Sequence, residues 1–378
     1  MRLYVMENSH RGVLRDNRRN QNGKGAEMAE TGIRIAVGQF NELADEKLRF
    51  ATQIGVKGVQ MNTPKLPGET HWEEKDLRAL VLKCQEYDLT LEAIENVPIH
   101  FYQKAMLGLP GRDEQIANYQ TTIRNVGAAG IPTLGFHFMP NSVWRTERFA
   151  PGRGGAGCTK FDMAEVDKAA GADGIRGFVA KADERKETLA VLDKEEDVVS
   201  EEQMWENYVY FIKAVLPVAE EAGVKLALHP DDPPVPMLGG VGRIFREPAG
   251  FKRAYDLNPD SPSWGLDLCL GCCSEMPGGK ANVKEMIEFF GPKGKIHYIH
   301  FRDVQGVVPN FQECFIGEGN YDPAEIMLLL KKSGFTGFLL DDHVPHMDDD
   351  TDWNHRGRAH AIGYMQGLIQ MMAFVATE

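Results

Sequence analysis

Short apolar runs alternate with longer amphipathic stretches along most of the chain. IRIAVGQF (33–40) predicts a strand, and ELADEKLRFATQIG after it predicts a helix. VKGVQM (56–61) predicts a second strand. DLRALVLKCQEYD (76–88) carries its apolar residues at helical spacing, and LTLEAIE (89–95) predicts a third strand. QIANYQTTIRNVGAAG (115–130) reads as a helix stopped by Gly130, and PTLGFHF (132–138) follows as a fourth strand. Between 140 and 200 the rhythm lapses. It resumes with a helix over 201–223 and the strand VKLALH (224–229). SWGLDLC (263–269), KIHYIHF (295–301) and GFLLDDH (337–343) bring the strands to eight. Each assignment rests on apolar content and on flanking turn residues.

Strands that alternate with helices imply right-handed βαβ units and a parallel sheet. Eight such units predict an α/β fold of the (β/α)8 TIM-barrel class over residues 33–378. The segment 141–200 is then a long insertion after the fourth strand. A doubly wound open sheet is the alternative. That fold usually carries a Gly-rich phosphate turn after its first strand, whereas AVGQFNEL has a single Gly. Residues 1–32 include RDNRRNQNGKG and show no apolar periodicity, so they read as a disordered tail. They also lack the apolar stretch of a secretory signal.

Charge and cysteine content narrow the class of partner. The 378 residues carry 42 Lys+Arg against 55 Asp+Glu, a net charge of -13. That balance argues against nucleic acid or an anionic membrane as the main partner. No run of 18 apolar residues is present to span a bilayer. Six cysteines, three of them at 269, 272 and 273, do not form a disulfide framework, so a reduced, cytoplasmic protein is expected. The CxxC spacing at 269–272 has no second pair nearby to complete a structural zinc site, and Cys272 and Cys273 are read as structural.

In a barrel, active sites lie at the C-terminal ends of strands. The last four expected strands end in His229, Cys269, His300 and Asp342-His343, with Asp267 on the same face as Cys269. Four successive strands therefore deliver His, Cys, His and Asp to one rim. Imidazole and carboxylate suit a divalent ion such as Mn²⁺, Fe²⁺, Zn²⁺ or Co²⁺, and the thiolate favours the softer members. Two prolines in HPDDPP (229–234) stiffen the chain beside His229.

HPDDPP resembles the corresponding segment of the mannonate dehydratase family. So do ENVPIH (95–100), YQTTIRNVGAAGI (119–131), FHFMPNSVWRT (136–146), GLDLCLG, IHFRDV and DDH (341–343). The resemblance covers most of the chain after residue 33. It implies a xylose-isomerase-like barrel with Mn²⁺ or Fe²⁺ held by His229, Cys269, His300 and Asp342. It implies dehydration of D-mannonate to 2-keto-3-deoxy-D-gluconate in hexuronate catabolism, by a cytoplasmic homo-oligomer. That family pairs its catalytic His with a Tyr downstream. Here the single Tyr after His343 is Tyr364, in a stretch that reads as the closing helix, and His355 or His360 stands nearer.

Dehydrating a sugar acid removes a weakly acidic proton beside a carboxylate. A divalent metal neutralises the charge that develops, and a base and an acid move the protons. His343 is the candidate acid/base, provided a turn after Asp342 swings it over the substrate. Arg302, two residues after His300, joins it as a catalytic candidate. Arg145 and Arg153 are candidates for the carboxylate, which suits a planar guanidinium. Glu95 and His137, near the ends of the third and fourth strands, are candidates for the substrate hydroxyls. The 141–200 insertion is a candidate lid, with Gly154, Gly155 and Gly157 as hinges. The same metal and His would also serve a sugar isomerase or epimerase, a lyase on a related sugar acid, or a non-catalytic carbohydrate-binding barrel.

Overall fold

In the computed structural model, residues 32–166, 198–372 and 374–375 are described. The expected tail, Gly32 apart, lies outside them, as does 167–197 of the expected insertion. The first four strands are β1 (Arg34–Val37), β2 (Gly58–Asn62), β3 (Thr90–Glu95) and β4 (Thr133–Phe136). Next come β5 (Glu147–Pro151), β6 (Gly157–Asp162) and β7 (Lys225–Leu228). A two-residue pair, β8 (Met237–Leu238) and β9 (Val241–Gly242), precedes β10 (Trp264–Cys269) and β11 (Ile296–His300). The last are β12 (Asp303–Val307), β13 (Asn310–Cys314) and β14 (Phe338–Leu340).

Eight of these close into a parallel barrel in the order β1-β14-β11-β10-β7-β4-β3-β2. They are the eight strands expected from the sequence, seven of them trimmed by one to four residues and β2 shifted to end one residue later. Strand-side alternation sends Ala36, Ala93, Ala227, Tyr298, Phe338 and Leu340 into the barrel, where they form a small buried cluster of their own. Tyr298 and Phe338 stack there at 4.8 Å and 6°. Gly135 on β4 makes room for them, because a Cβ there would meet the Tyr298 hydroxyl and come within 3.2 Å of Glu95.

The opposite strand faces pack on the helices and form the main apolar core. The helix Glu201–Ala222 shows how the sequence sets its limits. Ser200 caps it by accepting from the Gln203 N–H, and Gly223 ends it in the left-handed region at φ 66°. Asp322 caps the helix Pro323–Lys332 in the same way, with Pro323 at its first position, as its sequence predicts.

The insertion differs from its expectation. Residues 147–162, where the strand-helix rhythm lapses, hold two strands of a four-stranded antiparallel sheet in the order β12-β13-β6-β5. The sequence reading assigned no strand to any of the four. Their pattern hides them: β5 exposes most of its residues, and β12 and β13 each bury adjacent residues rather than alternate ones. The sheet has a core of its own, in which Phe161 and Phe311 stack at 5.7 Å beside Trp144, Val235 and Val304. β5 follows β4, and β12 follows β11 after two residues, so the sheet rises from the C-terminal end of the barrel.

Candidate active site

The strand pleat places the rim residues. His229 continues the inward series from Ala227 on β7. Cys269 and Asp267 share one face of β10, and His300 ends β11 two residues after Tyr298. β14 stops at Leu340, earlier than the sequence suggests. Asp342 lies beyond it at φ 50°, in the left-handed region. That turn brings His343 to the same side as Asp342, with its Nε2 3.5 Å from Asp342 Oδ1.

His229, Cys269, His300 and Asp342 converge through overlapping groups whose candidate ligand atoms lie within 4.8 Å of one another. One group is His229, Asp267 and His300. Another is Cys269, His300 and Asp342, and a third is His229, Cys269 and Cys272. All of these residues are buried. Asp267 and Cys272 were outside the ligand set expected from the sequence. Asp267 was visible there by its parity with Cys269, whereas Cys272 enters because the strand ends and a helical turn begins.

The polar chemistry of the cluster suits a divalent cation. His300 Nε2 lies 3.2 Å from Glu95 Oε2 and 3.4 Å from Asp267 Oδ2, and its Nδ1 lies 3.6 Å from Asp342 Oδ2. None of these approaches makes a well-angled hydrogen bond, and both oxygens of Asp267 and both nitrogens of His300 are left without one. Buried polar atoms in that state are costly, and a cation among them satisfies several at once. The hydrogen bond of His229 Nδ1 to Pro230 O at 2.7 Å leaves its Nε2 as the donor atom. Burial pushes Asp267 up to about 8, with His300 and His229 pulling against it. Burial pushes His229 down, but Asp267 and Cys269 outweigh it and raise it to about 10. Among these residues, acids and bases share protons that a cation would displace.

A cavity of about 620 Å³ opens over this cluster. His229, Glu95, His137, Asp342 and His343 all line it. Glu95 accepts from Gln39 Nε2 at 3.1 Å and from Gln60, and Gln60 supports it from β2. His137 Nδ1 accepts from the Met139 N–H at 3.2 Å. Burial, then the positive His229, pushes His137 down to about 3, so its ring is neutral.

The three expected arginines are placed differently. Arg302 is buried and does not line the cavity. It contacts Asp342 Oδ2 at 3.1 Å, Glu275 at 2.8 Å, Glu313 at 2.9 Å and Asp232 at 3.2 Å. Arg145 is buried as well, bidentate on Asp232 at 2.5 and 2.9 Å and 2.9 Å from Glu313. Arg153 is exposed, pairs with Glu318 at 2.6 Å and lies over Phe315. Among the described residues, the long cationic side chains that line the cavity are Lys47, Arg148 and Arg358. Lys47 stands over the Phe40 and Trp353 rings at 5.1 and 5.4 Å.

Glu313 on β13 was missed by sequence reasoning. Its Oε1 is 2.8 Å from His343 Nδ1 and also receives Arg145 and Arg302. No local signal marks it, because it reaches the site through the sheet that the sequence hid. Burial drives the Glu313 carboxyl up, but His343, Arg145 and Arg302 hold it well below the usual range. Burial lowers His343 in turn, and Asp342 and Glu313 raise it above its ordinary value.

The family model of D-mannonate dehydratase (UxuA) matches residues 37–377. A mannonate dehydratase of Streptococcus suis (strain 05ZYH33) is 34% identical over 295 residues, 76% of this chain and 79% of that protein. Mannonate dehydratase 2 of Halalkalibacterium halodurans is 31% identical over 335 residues, 86% and 93% of the two chains. The crystal structure of mannonate dehydratase from Streptococcus suis serotype 2 superposes with a TM-score of 0.78 at 30% identity, covering 91% of this chain and 97% of that one. An L-ribulose 3-epimerase superposes with a TM-score of 0.53 at 16% identity, covering 90% and 96%, a likeness of fold alone.

Proposed function

The chain belongs to the D-mannonate dehydratase family, and we propose on that premise that it removes water from D-mannonate to give 2-keto-3-deoxy-D-gluconate. It is a hydro-lyase on a xylose-isomerase-like (β/α)8 barrel. The observation that carries this reading is the buried His, Cys and Asp cluster, with its unsatisfied polar atoms, at the floor of a cavity that His343 lines.

His229, Cys269, His300 and Asp342 would hold a divalent metal, Mn²⁺ or Fe²⁺, with Asp267 behind them. When bound, that ion supplies Lewis-acid stabilisation of the charge that grows on the substrate carboxylate. His343 moves the proton. Its Nδ1 is tied to the Glu313 carboxylate, which fixes the ring and its tautomer, and the imidazole lines the cavity. Arg145 and Arg302 act through others: they hold Glu313 and Asp232 in place and balance their charge, while Arg302 also steadies Asp342. They are positioning residues rather than groups that touch the substrate. Glu95 and His137 face the cavity with hydrogen-bonding atoms suited to sugar hydroxyls. Lys47 and Arg148 supply the positive charge that an acid substrate requires at the mouth.

The six cysteines are free and buried, which agrees with a reducing, cytoplasmic setting. No helix among the described residues is long and apolar enough to cross a membrane. The direct test is incubation of Mn²⁺-loaded protein with D-mannonate and assay of the 2-keto-3-deoxy acid, with other hexonates alongside. Product from D-mannonate is the expected result. Product from another hexonate alone would reassign the substrate, and an isomerised sugar with no 2-keto-3-deoxy acid would overturn the lyase reading.

A further inference from the structure

The segment Cys269-Leu270-Gly271-Cys272 joins a ligand-bearing strand end to a turn of helix. Cys269 is the last residue of β10 and caps the helix Leu270–Glu275, with its Sγ accepting from the Cys272 N–H at 3.4 Å. Both sulfurs belong to one group with His229 whose ligand atoms lie within 4.8 Å of one another. Arg302 Nη2 donates to both, at 3.4 Å to Cys269 and 3.0 Å to Cys272. The neighbouring Cys273 packs in the apolar core instead, and Cys272 stays on the polar side with Cys269. Cys269 is fully buried and does not itself line the cavity, but it groups with His229 and Asp342, which do.

We propose that Cys269 and Cys272 form a peroxide-oxidisable thiol pair, closed to a disulfide when the metal is absent and protected when Cys269 is a ligand. The protection clause rests on the metal reading above; the pair itself does not. Cys269 Sγ attacks one peroxide oxygen, the O–O bond breaks, and one water leaves, giving a sulfenic acid at Cys269. Cys272 Sγ then attacks the Cys269 sulfur, the S–O bond breaks, and a second water leaves. Two thiols and one hydrogen peroxide thus give one disulfide and two waters, with the sulfurs oxidised and the peroxide reduced. A bond of about 2.05 Å draws both sulfurs out of their present positions. Cys269 then has no thiolate to offer a metal, which makes the oxidised protein unable to reload until a thiol reductant opens the bond.

The experiment uses the full chain, stripped of metal by a chelator or loaded with Mn²⁺. Each form is treated with hydrogen peroxide, denatured, alkylated and digested, and the segment 254–280, which holds all three cysteines, is sequenced by tandem mass spectrometry. The stripped form is expected to lose two hydrogens in that segment, with Cys273 alone alkylated. It should take up Mn²⁺ again only after dithiothreitol, as read by elemental analysis. The loaded form should oxidise at least roughly tenfold more slowly, because attack needs a free sulfur. Cys272→Ser should lose no hydrogens and Cys273→Ser should still lose two, each variant first shown folded by circular dichroism. Retention of all three thiols in the stripped form overturns the proposal. So does a disulfide that involves Cys273. Equal rates in a form shown to hold Mn²⁺ overturn the protection clause. Failure to bind any divalent ion before oxidation would overturn the metal reading, while the thiol pair stands or falls on the mass spectrum.

Discussion

His343 and Glu313 act as a unit at the residue scale. Removing the imidazole while keeping a polar side chain, as in His343→Asn, should abolish turnover and leave bound metal near stoichiometric. Steady-state rates and elemental analysis check both halves. Loss of the metal as well would show that His343 holds the ion rather than moving a proton. Glu313→Gln keeps the shape but removes the charge that fixes the His343 ring. It should lower kcat by about 10–100-fold, the usual cost of losing a group that orients an acid/base or ligand, with KM and metal content little changed. A matching rise in KM would mean that Glu313 contacts substrate. The four rim residues on consecutive barrel strands were legible because strand parity is a local property of the sequence. Glu313 was not legible, because its place depends on how β13 pairs with β6 and β12.

Element limits were legible wherever a cap or a breaker sets them. Asp322 accepts from the Ala324 and Glu325 N–H groups ahead of Pro323, and GEGNYDP (317–323) reads by itself as a turn into a helix with Asp322 as N-cap and Pro323 at its first position. Asp322→Ala should cost about 1 kcal/mol, read as a lower urea midpoint with an unchanged slope. Where a limit depends on pairing, the sequence misleads. GFLLDDH reads as one strand through His343, yet β14 ends at Leu340 and Asp342 turns at φ 50°. Backbone pairing with β11 reaches Leu340, and Arg358, from the C-terminal helix, ion-pairs with Asp341 and donates to Asp342 O beyond it. That long-range contact, absent from any local pattern, decides which way His343 points.

For the whole molecule, the cluster of buried charge at one end of the barrel couples stability to metal. Mn²⁺ at about a thousandfold above its Kd should add about 4 kcal/mol, seen as a rise in Tm that a chelator reverses. An unchanged Tm would place metal binding elsewhere or nowhere. The other end carries His297, whose ring packs against Gly265 and meets Ser263 O at 3.3 Å. Burial, then Lys225, lowers it to about 3 from an ordinary 6.5. The unfolded chain takes up this proton below about pH 6.5, and the folded one only near 3. Stability from His297 is therefore complete above pH 6.5 and is lost progressively as pH falls towards 3. His297→Asn should flatten that part of the urea-midpoint profile, and an unaltered slope would assign the acid loss to other groups. At this scale the sequence by itself determined the eight strands, helices between most of them and the rim that carries His229, Cys269, His300 and Asp342. Each follows from apolar period, turn residues and strand parity, which neighbours along the chain encode. Only the tertiary structure decided that 147–162 and 303–314 join in one sheet and that Glu313 meets His343. It also decided that Arg145 and Arg302 lie beneath the cavity rather than on its wall. Those placements are settled by pairings across more than a hundred residues and by buried charges that must find partners, and no local pattern records either.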